Sequence, residues 1–218
     1  MKQMALPELT LFGPAYGGNN CAMSDYRRWF VAGGTYFFTV VTYGRRPILT
    51  TDSGRMFLRE AIDKTRNYLA LSMITTVLLP DHWHLVMSLP ASDTNYSSRI
   101  KKIKEQFTRN WLEAGLPEAE VTESQRKKGE RGVWQPRFWE HTVRDETDLE
   151  GCVDYIHWNP RKHSLVKRVR DWPWSSFHRF IASSRQAITR STGAAPNRTH
   201  STRIATGANS PSLDVPLP

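Results

Sequence analysis

The stretch Leu71–Leu89, LSMITTVLLPDHWHLVMSL, decides the fold because it contains two apolar runs separated by Pro80-Asp81. Both runs are rich in β-branched and other apolar residues that are typical of strands, and a Pro-Asp pair interrupts regular structure. We therefore predict one strand at Leu71–Leu79 and a second at His84–Leu89, with the histidine pair His82-Trp83-His84 where the second strand begins.

The residues before these two strands predict a strand followed by a helix. Thr35–Tyr43, TYFFTVVTY, is β-branched and aromatic throughout, which is typical of a strand. From Asp52 to about Leu69 the apolar residues recur with a helical period after an Asp52/Ser53 cap. The chain up to Leu89 thus has the order β-α-β-β.

The residues after these two strands predict a second helix and a fourth strand. Ser97/Ser98 can cap a helix with a buried stripe of Ile100, Ile103, Phe107 and Trp111. A charged linker, residues 124–132, leads to the strand-like run Val133–Val143. The order β-α-β-β-α-β predicts an α+β protein with a ferredoxin-like split βαβ, an antiparallel sheet and helices on its faces.

Charge and composition point to a nucleic-acid partner. The chain has 218 residues, and 30 Lys and Arg against 21 Asp and Glu give a net charge of +9. Its two cysteines, Cys21 and Cys152, exclude a disulfide framework and a cysteine-based zinc site. Apolar stretches fall far short of the roughly 20 residues that span a membrane, so we expect a cytoplasmic protein.

Composition also divides the chain into three parts. Residues 1–22 form an unpatterned leader, and we expect that translation starts at Met23. Residues 23–180 hold the patterned segments and are expected to form the folded domain. Residues 181–218 are rich in Ser, Thr, Ala, Asn, Gly and Pro, so we expect a disordered polar tail.

His82-Trp83-His84 is the first candidate for chemistry. Side chains alternate along a strand, so both imidazoles lie on one face and Trp83 lies on the other. Two imidazoles make half of a metal site. The alternative is a pair of polar histidines at a strand edge with Trp83 in the core, and this motif alone does not decide between the two.

A second candidate group lies on the helix that is expected after Asp145. Thr147–Glu150 has the form of a capping box, and Pro160 should end the helix. Tyr155 and Asn159 are then one turn and about 40° apart on one flank. The alternative is that Tyr155 packs at the margin of the core and Asn159 caps the end of the helix.

Together these residues have a coherent chemical interpretation. His82, His84 and Asn159 offer two imidazoles and an amide oxygen to a divalent cation, which would polarise a phosphodiester. Tyr155 would be the nucleophile and would form a phosphotyrosine ester whose stored bond energy lets the cleavage be reversed.

Basic and aromatic residues alternate in several segments, as in surfaces that bind single strands. We expect about half of the rings to be core instead. The candidate DNA contacts are Tyr26, Arg27, Arg28 and Trp29, then Lys101 and Lys102, then Trp134, Arg137, Phe138 and Trp139, and finally Trp158, Arg161 and Lys162.

An ordered series of motifs resembles the REP-associated tyrosine transposases, a branch of the Y1 single-strand transposases in the HUH endonuclease superfamily. The motifs are MSDYRRWF at Met23, GGTYFFTV at Gly33, LLPDHWH at Leu78, VWQPRFWEH at Val133, VDYIHWNPRKH at Val153 and DWPWSSFHR at Asp171. The leader and the tail fall outside this pattern.

The resemblance implies a Mg²⁺- or Mn²⁺-dependent nuclease that cleaves and rejoins single-stranded DNA with REP/BIME hairpins through a 5′-phosphotyrosine intermediate. By position, His82 and His84 match the metal-binding pair, Tyr155 the catalytic tyrosine and Asn159 the polar ligand. The segment 24–28 matches a region that recognises bases beside the hairpin, and the partner implies nucleoid association.

Two other hypotheses stay open at this point. The chain could bind hairpins without cutting them, although Tyr155 and the histidine pair argue against this. It could also be a metal hydrolase with a water nucleophile, which leaves Tyr155 and the basic aromatic clusters without a role.

Overall fold

The computed structural model of the chain describes residues 30–183. The leader, the expected start at Met23 and the segment 24–28 lie outside these residues, as does the tail beyond residue 183. Residues 177–183 are helical, so regular structure continues past the boundary that was expected at residue 180.

Four strands form one antiparallel sheet. They are β1, Thr35–Val41; β2, Ser72–Leu78; β3, His82–Ser88; and β4, Trp139–Thr142. The order across the sheet is β2-β3-β1-β4, and every neighbouring pair is antiparallel. This is the split βαβ arrangement, so the predicted α+β fold class is confirmed.

The helices lie on both faces of this sheet. They are α1, Asp52–Tyr68; α2, Tyr96–Glu113; α3, Glu123–Lys127; and α4, Glu146–Lys162. The buried stripes of α1 and α2 pack with Phe38, Trp83 and Leu85 on one face. Cys152 and Ile156 of α4 pack with Phe37 and Val86 on the other. His82, His84 and Val86 follow one another at intervals of two residues along β3, so their side chains lie on the same face of the sheet, which is the face that α4 covers.

Helices α2 and α4 begin slightly earlier than predicted, and the caps of all three long helices differ from the predicted ones. The side chains of Thr51, Asn95 and Asp145 accept the first free backbone N–H groups, in place of the caps at Asp52/Ser53, Ser97/Ser98 and Thr147. Each predicted cap stands within two residues of another residue of capping type, so composition alone could not choose between them. The charged linker also contains the short helix α3, and only the last part of Val133–Val143 is strand.

Helix α4 does not end at Pro160 but continues to Lys162, with His163 as its cap. A proline lacks only its own N–H, which would have bonded one turn earlier, so the rest of the last turn can form. The N–H of His163 donates to the carbonyl of Asn159 at 3.0 Å, and that of Leu165 donates to Pro160 at 2.9 Å. The extra half-turn brings His163 into the neighbourhood of the histidine pair.

The C-terminal segment protects the edge strand β2 and anchors α4. The N–H of Leu78 donates to the carbonyl of Trp174, and the N–H of Ser176 donates to that of Thr76, both at 2.9 Å. His157 of α4 lies 3.1 Å from both the Thr75 and the Ser176 hydroxyls. Within residues 30–183, no helix has the length and apolar character that crossing a membrane requires.

Candidate active site

The histidine pair occupies the start of β3, where both side chains are buried under α4. The two ring centroids are 4.8 Å apart and the rings are nearly perpendicular. Nδ1 of His82 lies 2.6 Å from a carboxylate oxygen of Asp81, and Nδ1 of His84 lies 2.9 Å from the hydroxyl of Thr39. Since both contacts use Nδ1, each ring would bind a ligand through Nε2.

The electrostatics of the site favour a neutral His84 imidazole and an ionised Asp81 carboxylate. Burial holds the pKa of His84 well below its usual value, and the nearby His82 and His163 lower it further. Burial alone would raise the pKa of Asp81, but hydrogen bonds from His82 and Arg45 lower it to about 2. Neutral imidazole is the form that binds a metal ion.

Tyr155 lies against this pair. Its ring centroid is 5.5 Å from that of His84 and 5.8 Å from that of Phe37, and the side chain is half-buried. The ammonium group of Lys162 lies 4.8 Å from the centre of the Tyr155 ring. The fold therefore brings the tyrosine of α4 and the histidines of β3 together, although more than 70 residues separate them in sequence.

Asn159 is completely buried, and neither its Oδ1 nor its Nδ2 has a hydrogen-bond partner among residues 30–183. It is not the helix cap, because that position belongs to His163. A buried amide without partners costs about 1–3 kcal/mol, so its presence is an argument for a ligand at this point. Asn159 stands one turn from Tyr155, which contacts His84, and one turn from His163, which contacts His82.

His163 is a member of this group that the sequence interpretation missed. Its ring centroid is 5.1 Å from that of His82, and burial and the neighbouring His82 lower its pKa. Asp81 and Thr39, which orient the two histidines, were missed as well. The four-residue spacing of Asn159 and His163 was a signal in the sequence, but Pro160 was expected to end the helix between them.

The donor set fits a divalent cation. His82, His84 and Asn159 present two nitrogen donors and one neutral oxygen donor, a mixture that suits first-row divalent ions and leaves positions for phosphate oxygens and water. The orphaned amide of Asn159 and the Nδ1 contacts of both histidines are the observations that support this fit.

A second group of potential ligands lies between β4 and the start of α4. Among residues 30–183, His141, Asp148 and Cys152 are the one set of three His, Cys, Asp or Glu whose ligand atoms all lie within 4.8 Å of one another. The carboxylate of Asp148 already accepts hydrogen bonds from His141 and from the backbone and side chain of Arg144, at 2.9–3.1 Å. Burial and Asp148 raise the pKa of Cys152 to about 12, so its thiol is neutral. These contacts anchor α4 to β4.

The candidate DNA contacts fall into three places. Lys162 lies on Tyr155, Arg161 lies over the ring of Trp158 at 4.4 Å, and Trp139 packs 5.7 Å from Phe37 on the same face. Arg137 is exposed just before β4. Lys101 and Lys102 are exposed on α2, on the opposite face of the sheet, and Tyr26, Arg27, Arg28 and Trp29 lie outside the described residues.

The aromatic rings divide much as expected. Of the seven tryptophans in the described range, Trp83, Trp111, Trp134 and Trp172 are buried, and Phe138 packs against Phe38. Trp158 is the most exposed of the seven, at 45%.

Comparison with known proteins gives a consistent answer. A family model described as "Transposase IS200 like" matches residues 31–159. The chain is 43% identical to the REP-associated tyrosine transposase of Escherichia coli K12 over 160 residues, covering 73% of this chain and 86% of that protein. It is 45% identical over 161 residues to a Haemophilus influenzae protein assigned provisionally to the same group, covering 73% of this chain and 88% of that one. A solved structure of a REP-associated tyrosine transposase bound to a REP hairpin matches with a TM-score of 0.59 and 36% identity, covering 87% of this chain and all of that one.

Proposed function

The chain belongs to the IS200-like transposases and, within them, to the REP-associated tyrosine transposases, and we propose that it cleaves and rejoins single-stranded DNA that carries REP/BIME-type hairpins. The relative solved with a REP hairpin supports the hairpin as the substrate. The observation that carries the proposal is Tyr155 beside His84, with the unpartnered amide of Asn159 one turn away.

In the proposed reaction, the Tyr155 hydroxyl attacks the phosphorus of the scissile phosphodiester. The Oη–P bond forms while the P–O3′ bond breaks, the phenol loses its proton and the released 3′ oxygen takes one up. The products are a 5′-phosphotyrosine and a free 3′ hydroxyl. A 3′ hydroxyl can reverse the step without an external energy source, because the ester retains the energy of the broken bond.

His82, His84 and Asn159 would hold Mg²⁺ or Mn²⁺. The bound cation would polarise the phosphodiester and offset charge that develops on its oxygens. Asp81 and Thr39 contact the two imidazoles at Nδ1, which leaves the Nε2 atom of each ring for a ligand. Lys162, over the Tyr155 ring, adds a positive charge that favours the approach of a phosphate.

Binding of the strand is assigned to the surrounding cations and rings. Lys162 lies over Tyr155, Trp139 lies on the same face of the sheet, Arg161 lies over the exposed Trp158 ring, and Arg137 is exposed just before β4. Lys101 and Lys102 would contact backbone phosphates elsewhere on the hairpin. Tyr26, Arg27 and Arg28 would recognise bases beside the stem. We place the catalytic domain at residues 23–180. We also place the protein in the cytoplasm, associated with the nucleoid.

The test is Tyr155→Phe, which keeps the ring and removes only the hydroxyl. The wild-type protein, incubated with a labelled hairpin substrate and Mg²⁺, should give a band that is stable to SDS and heat, is sensitive to protease and carries the DNA through a 5′ phosphate. Tyr155→Phe should bind the same DNA with unchanged affinity and give neither cleavage nor the covalent band.

The same gel separates the two other hypotheses. Cleavage without a protein-linked band would favour a water nucleophile, and binding without cleavage would favour a hairpin-binding protein. An adduct that maps to another tyrosine, such as Tyr26 or Tyr96, would reject the role of Tyr155.

A further inference from the structure

Trp158 has an exposed ring where the fold gives it no core to fill. Its side chain is 45% exposed on α4, three residues after Tyr155, whereas four of the other described tryptophans are buried. The guanidinium of Arg161 lies 4.4 Å from its ring centre. An exposed indole with a cation over it is a surface on which planar, electron-rich groups stack.

The position of Trp158 around the helix relates it to the candidate active site. At about 100° per residue, Asn159 lies about 40° to one side of Tyr155, in the direction of His163 and the histidine pair. Lys162 and Trp158 lie about 20° and 60° to the other side. Tyr155 therefore stands between the flank that would hold the cation and the flank that carries Trp158.

A strand that crosses the axis of α4 at Tyr155 passes over both flanks. If the phosphate oxygens face the histidines, the neighbouring nucleotide lies over Lys162 and Trp158. Lys162 supplies a positive charge to the backbone, and Trp158 with Arg161 supplies a planar surface to the base.

We propose that Trp158 and Arg161 form a stacking subsite for one unpaired nucleobase next to the cleaved phosphodiester. The inference rests on the proposed function, because it takes its substrate from there. The occupant is an unpaired base rather than one in the hairpin stem, since neighbouring pairs in a stem cover both faces of each base. Stacking does not distinguish strongly between bases, so the subsite sets the position of the cut strand and tolerates different sequences.

The test combines Trp158→Ala with an abasic scan of the single-stranded flank. A fluorescent hairpin oligonucleotide is made with each flanking nucleotide in turn replaced by an abasic site. Affinity is measured by anisotropy in EDTA, where no cleavage occurs, and adduct formation is measured separately with Mg²⁺. Trp158→Phe keeps a stacking ring, and Tyr68→Ala removes a 75% exposed ring from α1 on the opposite face of the sheet.

We expect one abasic position to weaken wild-type binding roughly 5- to 150-fold, the range for loss of one stacked base. Trp158→Ala should lose a similar factor on intact DNA and should show no further loss at that position. Trp158→Phe should keep most of the affinity and the abasic effect, and Tyr68→Ala should match the wild type.

The subsite would be overturned if Trp158→Ala and every abasic site each reduced DNA affinity by independent factors that multiply. It would also be overturned if Trp158→Ala bound DNA with unchanged affinity. A changed oligomeric state of Trp158→Ala in sedimentation, without coupling to any base, would instead identify a protein contact and overturn it too. If the effects of Trp158→Ala and one abasic site on affinity are coupled in EDTA but no protein–DNA adduct forms in Mg²⁺, the subsite stands and the proposed chemistry is rejected. If the adduct forms but no abasic site is coupled to Trp158→Ala, the proposed chemistry stands and the subsite is rejected.

Discussion

Replacing Asp81 with alanine should weaken metal binding at the histidine pair 10- to 100-fold. The carboxylate accepts from Nδ1 of His82 at 2.6 Å, and its other oxygen accepts from Arg45 at 3.0 Å. The His82 side chain is only 6% exposed, so water has little access to replace the lost acceptor. A hydrogen bond to a charged group contributes about 1.5–3 kcal/mol, and loss of such an outer partner typically lowers metal affinity by the stated factor.

Two readouts measure this effect on the full chain. Mn²⁺ affinity can be followed by electron paramagnetic resonance without DNA, and the Mg²⁺ midpoint for adduct formation can be measured with DNA. Asp81→Asn keeps an acceptor oxygen and should lie between Asp81→Ala and the wild type. Asp171→Ala is the matched control, because Asp171 is a carboxylate held by two hydrogen bonds from Arg168 on the surface. A Mn²⁺ affinity of Asp81→Ala within twofold of both the wild type and this control would refute the positioning role.

Two further predictions concern the location of the metal and the pH dependence of stability. His82→Ala and His84→Ala should abolish cleavage and leave hairpin affinity nearly unchanged in binding assays. Cys152→Ala should keep the Mg²⁺ midpoint of the wild type for adduct formation. Cleavage by the two histidine variants, together with a shifted midpoint of Cys152→Ala, would place the metal at the His141, Asp148 and Cys152 group instead. The ammonium of Lys104 donates to the backbone carbonyls of Gln135 and Pro136, and burial lowers its pKa to about 8. Between about pH 8 and 10.5 the unfolded chain keeps this proton and the folded chain loses it, so stability relative to Lys104→Met should rise by up to roughly 3 kcal/mol. Urea unfolding of both proteins at pH 7.5 and pH 10 measures this, and a constant difference would contradict it.

The local patterns predicted the elements well because each depends on neighbours in sequence. The stripe of Ile100, Ile103, Phe107 and Trp111 is buried as its period indicates, and the two strands separate at Pro80-Asp81. The caps were wrong by one or two residues, because a side-chain oxygen acts as a cap only where its own backbone is non-helical. That depends on how the preceding loop enters the helix.

The candidate site was predictable only as far as one element specifies it. Alternation along β3 put His82 and His84 on one face, and helical spacing put Tyr155 and Asn159 on one flank. The contact of Thr39 with His84 depends instead on the register of β1 against β3, which places these two residues opposite each other across 45 positions of sequence. No local pattern carries that information.

Asn159 shows how the structure removes one of two interpretations that the sequence left open. As a helix cap, Asn159 would hydrogen-bond to the backbone through its side chain, and no ligand would be needed to explain its burial. Because α4 passes through Pro160, the cap moves to His163 and the Asn159 amide is buried without a partner among residues 30–183. A fold does not keep such a group for stability, since a leucine of similar size would avoid the loss of hydration. The free-energy cost of burying this amide is explained if its oxygen binds a ligand that also contacts His82 and His84. Asn159, which destabilises the metal-free fold, is therefore the most direct argument for the metal.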